Sequence, residues 1–347
     1  MEFEPIWFDS LGAKSSCILV RTDSNFLIDP GVSQMHPGFP ASSAQKRLWH
    51  QEAGRRIASA AGSTDVVIVS HYHYDHYTDF ERGLYEGKLV LVKNPNQYIN
   101  DSQRRRSMRF FENLCRTFGE RTLKEVLERP RTRRFGDPME DLTVATDRDF
   151  QDYQERREEL LEKGRRWFLA RARKWKEYGR VPELEFRNLK VRFIDGQRLT
   201  IGKTRLRFSR PFFHGIEYSR VGWVCSTVIE FGGEKLIHTS DINGPIIEDY
   251  AEWLIEENPQ VLILDGPMTY MLGYMLNLTN LRRAIENMLR IVRETDTELI
   301  IYDHHLPRER KFREHTGKVW ELAEKLGRRV STAAELMGRK PAVLTGG

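Results

Sequence analysis

Cysteine is scarce: Cys17, Cys115 and Cys225 are the three in 347 residues. They are widely spaced and form no paired metal-binding interval, which excludes a disulfide framework and a cysteine-based zinc finger. They read as inert thiols in a reducing compartment, so a cytoplasmic location is expected. Long apolar runs are missing as well. None approaches the ~20 residues of a membrane span, and a mean hydropathy of -0.57 fits a water-soluble chain. Met1 to Pro5 shows no basic region followed by an apolar one, so no signal peptide is expected. Neither sign of charge dominates. Lys and Arg number 55 against 50 Asp and Glu, a net +5; that tilts slightly toward an anionic substrate, but a heavily ion-paired surface looks the same. Also absent are a phosphate-cradling glycine loop and a base-reading motif.

What is present is a concentration of ligand chemistry. His71-Tyr72-His73-Tyr74-Asp75-His76 follows the run Asp65-Val66-Val67-Ile68-Val69-Ser70, which is β-branched, continuous and too short for a helix. Three imidazoles and a carboxylate thus stand at a strand's C-terminal end. Buried together as cations the imidazoles would repel one another, and a shared metal removes the repulsion. Neutral imidazole and carboxylate suit zinc, with iron or manganese as alternatives. The competing readings are a solvated histidine-rich loop and a purely structural zinc site. The stretch resembles the His-x-His-x-Asp-His signature of the metallo-β-lactamase superfamily, whose fold is a four-layer αββα sandwich with a one- or two-metal site at the sheet edges.

The remaining landmarks of that superfamily have candidates in order. Ser16 to Arg21 and Asn25 to Gly31 read as two antiparallel strands, the second closed by Asp29. The resemblance implies that Asp29 hydrogen-bonds the metal loop; an ordinary Asp-Pro-Gly turn explains it equally well. A helix is expected over Ala44 to Ala61, and Lys88 to Lys93 is a further strand. Residues 94 to 182 are then densely charged and helix-forming. Phe150, Tyr153, Leu160, Leu161, Trp167, Phe168 and Trp175 predict one long helix with an aromatic face, Gly164 being its weak point. Arginines cluster at Arg104-Arg105-Arg106 and at Arg129 to Arg134. Such a segment is either a solvated face with aromatics packed inward or a platform for nucleic acid, and it is well placed to act as a lid. Strands return at Leu184 to Phe186, Val191 to Phe193 and Leu206 to Phe208, before His214, the position of the superfamily's next metal histidine. Val221 to Phe231 and Glu234 to Ile237 form a hairpin through Gly232-Gly233. That hairpin leads to Asp241 at the place of the bridging carboxylate, with His238 in the core or supporting the site. Pro259 to Gly266 is a buried strand and Leu278 to Glu294 a helix. Glu298 to Asp303 is a strand before His304-His305, where the last metal histidine belongs. Neighbours on a strand face opposite ways, which leaves two candidates, His304 being favoured. Lys318 to Leu336 is expected to be helical and the tail beyond Arg339 loose.

The order Asp29, His71 to His76, His214, Asp241, His304/His305 follows the superfamily over most of the chain. The expectation is therefore one α/β domain over residues 1–347, a four-layer αββα sandwich with a charged, mainly helical insertion at 94–182. Asp9-Ser10-Leu11-Gly12, Ile28 to Ser33, Ser70 to His76, Leu264 to Pro267 and Tyr302 to His305 resemble one subgroup, the uncharacterised archaeal predicted metal-dependent hydrolases. The insertion sets the chain apart from the β-lactamases, glyoxalase II and the tRNA-processing nucleases, so none of their specificities carries over. The resemblance implies a dinuclear hydrolase with two divalent ions, zinc foremost. His71, His73 and His214 would hold one ion; Asp75, His76 and His304 or His305 the other; Asp241 would bridge them. A metal-bridging hydroxide would be the nucleophile, and Asp75 could also carry the proton. Phosphodiester or nucleic-acid substrates and small lactones, esters or thioesters remain open alternatives, and the sequence says nothing of oligomeric state.

Overall fold

The structure is a computed structural model and describes residues 1–345. One sheet is built from β1 (Glu2–Phe8), β2 (Ser16–Arg21), β3 (Asn25–Ile28), β4 (Val66–Val69), β5 (Lys88–Val92), β6 (Leu184–Phe186) and β7 (Leu189–Phe193), in the order β1-β2-β3-β4-β5-β7-β6. The second contains β8 (Arg198–Ile201), β9 (Thr204–Phe208), β12 (Thr227–Phe231), β13 (Glu234–His238), β14 (Val261–Asp265), β15 (Leu299–Asp303) and β16 (Arg329–Ser331), in the order β16-β15-β14-β13-β12-β9-β8. Between β9 and β12 in the chain, β10 (Phe212–Phe213) and β11 (Trp223–Val224) form a small ribbon of their own.

The period-two rule explains why the sheets stack. Ile18, Val20, Val66 and Ile68 of the first sheet share one apolar cluster with Leu206, Ile229, Ile263 and Ile301 of the second. The alternate residues Cys17, Leu19, Val67, Val69, Leu262, Leu264 and Tyr302 point outward into a second cluster containing Ile57, Phe110, Leu254, Met288 and Ile291, all on helices. Helix, sheet, sheet and helix are the four layers of the metallo-β-lactamase fold. Strands covered on both faces carry continuous apolar runs, which is what Val66–Val69 shows.

Strand direction decides where chemistry collects. β3, β4 and β5 run parallel, as do β13, β14 and β15. β1 is two antiparallel steps from β3, and β9 two from β13, so each runs the same way as those sets. The segments leaving β1, β3, β4, β9, β13, β14 and β15 carry Asp9, Asp29, His71 to His76, His214, Asp241, Asp265 and His304-His305. All seven emerge at one edge.

Several expectations change. β1 was not anticipated. The Lys318 to Leu336 helix is the Gly317–Lys325 helix, then β16, then a turn of helix at Ala333–Leu336; Gly327, at φ +65°, ends the first helix by entering the left-handed region. The tail is not loose through residue 345: Ala342–Thr345 is helical and Val343 is fully buried. The strand expected over Val221 to Phe231 is interrupted at Cys225-Ser226, where the Cys225 amide donates to Ser70 O at 3.2 Å and ties the hairpin to the histidine loop.

The 94–182 segment comprises a helix at Asp101–Gly119, short helical turns, and a helix at Gln154–Glu177. Phe150 therefore precedes the second helix, and its ring lies under the guanidinium groups of Arg157, Arg283 and Arg148 at 4.2, 5.1 and 5.5 Å. Gly164 is not a weak point. A Cβ there would sit 2.5 Å from Tyr218 Cβ, so the missing side chain is what lets the helix approach the loop after His214. Phe168, Trp175 and Trp223 are buried together, and Trp167 stacks on Trp223 at 5.5 Å.

Candidate metal centre

All eight residues singled out as metal ligands meet at the common edge. His71, His73, His214 and Asp241 form one group, Asp75, His76 and His304 a second, and Asp241, His304 and His305 a third; within each, one potential ligand atom per residue lies within 4.8 Å of the others. Asp241 joins them. Its Oδ2 is 3.0 Å from His214 Nε2, 3.5 Å from His71 Nε2 and 3.8 Å from His305 Nε2. Its Oδ1 is 3.0 Å from His76 Nε2 and 3.3 Å from His304 Nε2. His73 and Asp75 are partly exposed, while the other six are buried.

His304 and His305 do not face opposite ways. The strand stops at Asp303, and both histidines take left-handed backbone, φ +34° and +53°, which turns both rings toward Asp241. Asp29, Ser240 and Asn243 also have positive φ here. Such conformations cost on the order of 1–3 kcal/mol each and gather at functional sites.

Behind the cluster, most imidazoles are held from their other nitrogen. Asp29 accepts from His76 Nδ1 at 2.8 Å, from the Ser70 amide at 2.8 Å and from Ser70 Oγ at 2.7 Å. The Asp-Pro-Gly turn thus also anchors the histidine loop. Ser70 Oγ and Ser240 Oγ lie 3.1 and 3.3 Å from His71 Nδ1. The Asn243 amide is 3.3 Å from His214 Nδ1, Asp265 is 3.3 Å from His305 Nδ1, and Asp9 is 3.0 Å from His304 Nδ1. Asp9 also accepts from the amides of Ser15 and His305 and from Arg308. His238 stays outside the cluster, its Nε2 2.9 Å from Ser16 O. Asp9, Asp265, Asn243, Gln103 and Arg308 were missed as site residues. Asp265 could have been found, since it ends an apolar strand as Asp29 does; Asp9 follows a strand of mixed pattern, and Asn243, Gln103 and Arg308 carry no local signal.

Charge is divided unequally over the cluster. Burial, reinforced by neighbouring imidazoles, drives His71 and His305 far below the usual histidine range and His73 to about 3, so these rings are neutral. Burial also opposes charge on His76 and His304. There Asp241, with Asp29 or Asp9, overcomes it and raises His76 strongly and His304 to about 10. Asp241 is held ionised against its burial by His76 and His304. Two atoms test whether cations fit. His71 Nε2 and Asp241 Oδ1 are buried and make no hydrogen bond, and His76 Nε2 and His304 Nε2 point at each other at 3.1 Å. Two protonated ring nitrogens facing each other would repel, whereas deprotonated ones are favourable with a cation among them.

The 94–182 segment reaches the cluster from two sides. Gln103 Nε2 donates to Val221 O at 3.0 Å and lies 3.4 Å from His73 Nε2. Arg106 donates to Tyr72 O at 2.6 Å. Around the loop after His214, Asn100 donates to Arg220 O and Val221 O, and Tyr218 OH donates to Asp137. Glu217 pairs with Arg157 at 3.1 Å and with Arg283 at 2.7 Å, all three side chains nearly inaccessible.

Residues 12–100 match the family model of the metallo-beta-lactamase superfamily. The chain is 29% identical over 359 residues to a UPF0282 protein of Methanopyrus kandleri, covering 99% of this chain and 96% of that protein. A UPF0282 protein of Methanocaldococcus jannaschii is also 29% identical over 359 residues, covering 99% and 94%. Among solved structures, CmlA, a diiron beta-hydroxylase from Streptomyces venezuelae, aligns with a TM-score of 0.41 and 12% identity over 92% of this chain, which spans 51% of that protein.

Proposed function

From the metallo-β-lactamase fold and a buried double cluster of imidazoles around one carboxylate, we propose that the protein is a dinuclear metal-dependent hydrolase. His71, His73 and His214 hold one cation, Asp75, His76 and His304 the other, and Asp241 bridges. The observation that carries this reading is the division of Asp241: its two oxygens address different imidazole sets. Divalent cations bound there, with zinc foremost and manganese or iron also suited, lower the pKa of a water from about 15.7 towards ~7 and draw off charge from a carbonyl or phosphoryl oxygen.

The chain's own residues supply the rest. Asp75, whose side chain is 16% exposed at the mouth of the cluster, lies 3.9 Å from His304 Nε2. We assign it the transfer of a proton from water to the leaving group. Asp29, Asp9 and Asp265 fix the His76, His304 and His305 rings. The 94–182 segment belongs to the same domain and braces the loop after His214.

We assign a small anionic ester as substrate, a phosphodiester before a lactone or thioester. Only His73 and Asp75 of the cluster are partly exposed, which favours a substrate that can enter a narrow mouth. The aromatic side chains Phe168 and Trp175 are buried, and Arg104 and Arg106 are spent on backbone carbonyls, which argues against a stacking platform for nucleic acid. Three free, buried cysteines support a cytoplasmic setting.

Elemental analysis of the purified chain is expected to find close to two metal equivalents, and Asp241→Ala to lose metal and hydrolysis together. Less than about half an equivalent after supplementation, or full metal content in the variant, refutes the assignment.

A further inference from the structure

Arg308 stands four residues past His304 with its side chain 3% exposed. Its Nε donates to Asp9 and its Nη1 to Tyr270 OH at 3.0 Å. Nη2 makes no hydrogen bond and lies 3.6 Å from Asp75 Oδ2. A buried charged donor left without an acceptor keeps its full desolvation cost, so a fold that retains one invites a ligand. Lys14 stands in the turn between β1 and β2, next to Ser15, whose amide donates to Asp9 at 2.9 Å and whose carbonyl lies 3.1 Å from His304 Nδ1. The Lys14 backbone pairs with Ser33. Its half-buried ammonium makes no ion pair or hydrogen bond among the described residues, and burial lowers its pKa while the charges of Asp75 and Asp9 act the other way.

The nearby anions are already engaged. Asp9 is shared among Ser15, His304, His305 and Arg308, and Asp75 is assigned to a cation in the reading above. Asp9 answers the charge of Arg308, which leaves the Lys14 charge in surplus and Arg308 Nη2 without an acceptor. Arg308 also lines a cavity of about 620 Å³ together with His36, Tyr270, Met271 and Lys311. His36 stacks on Tyr270 with ring centres 5.0 Å apart, which stiffens one wall.

Resting on the hydrolase reading, we propose that Lys14 and Arg308 Nη2 form an oxyanion-binding subsite beside Asp75. The substrate carries a phosphate or carboxylate apart from the bond that is cleaved, and its remainder extends into the cavity walled by His36 and Tyr270. A single guanidinium N–H and an ammonium act as point donors rather than as a bidentate fork, which suits one oxygen of a tetrahedral or trigonal anion equally.

The test is calorimetric binding of inorganic phosphate and of acetate to the full chain, metal-loaded and chelator-treated. Lys14→Gln is expected to weaken the tighter of the two at least tenfold with metal content unchanged, and Lys14→Arg to restore it to within about threefold. Tighter phosphate identifies a phosphate-bearing substrate, tighter acetate a carboxylate-bearing one. Arg308→Lys, which keeps a cation beside Asp9 while removing Nη2, is expected to show the same loss and serves if the first variant does not fold. Binding of both anions within twofold of wild type in Lys14→Gln and Arg308→Lys overturns the subsite, and two metals retained in those variants leave the hydrolase reading standing. Conversely, a wild-type chain that takes up no metal yet binds phosphate through Lys14 overturns the hydrolase and keeps the subsite.

Discussion

Asp29→Asn isolates one feature of the site at constant size. Asn tolerates the left-handed backbone that Asp29 adopts at φ +50°, so the turn itself is undisturbed. What changes is one acceptor. In the native site Oδ1 accepts from the Ser70 amide, and Oδ2 accepts from both Ser70 Oγ and His76 Nδ1. If the new amide nitrogen takes the Oδ2 place, it faces His76 Nδ1 as a donor. The ring proton then moves to Nε2, the atom aimed at Asp241, and His76 can no longer give a lone pair to a cation. Loss of such a supporting contact lowers metal affinity by roughly 10–100-fold, about 1.4–2.8 kcal/mol. If the amide turns over, its oxygen keeps His76 but its nitrogen faces the Ser70 amide, leaving buried donors unpaired at a cost of about 1–3 kcal/mol in stability. Both arrangements cost the same order, in different readouts. Chelator competition measures the first and denaturant unfolding of the metal-free chain the second. Metal affinity within twofold of wild type together with an unfolding free energy within about 0.5 kcal/mol refutes the role given to Asp29.

Three further outcomes are expected. His304→Ala removes about one metal equivalent, because its Nε2 lies 3.1 Å from His76 Nε2 and 3.3 Å from Asp241, whereas His305→Ala changes turnover more than occupancy; equal metal loss by elemental analysis contradicts this. Gly164→Val drives a side chain into Tyr218 and destabilises by about 1–3 kcal/mol in denaturant melts, while Gly83→Ala, where a Cβ meets nothing within 4 Å, does not. Metal binding releases protons near neutral pH. Since His304 is held up to about 10, it carries a proton at pH 7 that a cation must displace, so affinity falls as pH falls, by about tenfold per unit for each proton displaced; calorimetry in buffers of different ionisation enthalpy that finds no proton release excludes it.

The sequence made part of this legible for simple reasons. Val66–Val69 and Leu299–Asp303 are apolar along their length because both faces are covered, so each announced a strand with ligands at its end. The His304/His305 ambiguity came from extending strand alternation past Asp303, which positive φ values at both histidines cancel. Asp9 was passed over because β1, with Pro5 inside it and a mixed pattern, did not read as a strand. Arg308, Lys14 and Gln103 sit in helices and turns with no composition of their own, and only tertiary approach brings them to the cluster. The aromatic residues of 94–182 were read as one face of one helix. Their real partners, Tyr218 and Trp223, lie more than forty residues further on, where no local periodicity could point.

Asp9 and His304 are 295 positions apart and His76 and His304 228 apart, yet each pair is in contact. Joining segments so distant in sequence carries a loop-closure cost that contacts within one helix or hairpin do not. A chain still emerging from synthesis, or one clipped before residue 304, has the three histidines of its first motif but neither the ring that answers His76 nor the carboxylate order that positions it. On the metal-centre reading proposed above, cation capture at full strength would therefore require the chain through His304 and His305, and would report that the molecule is finished.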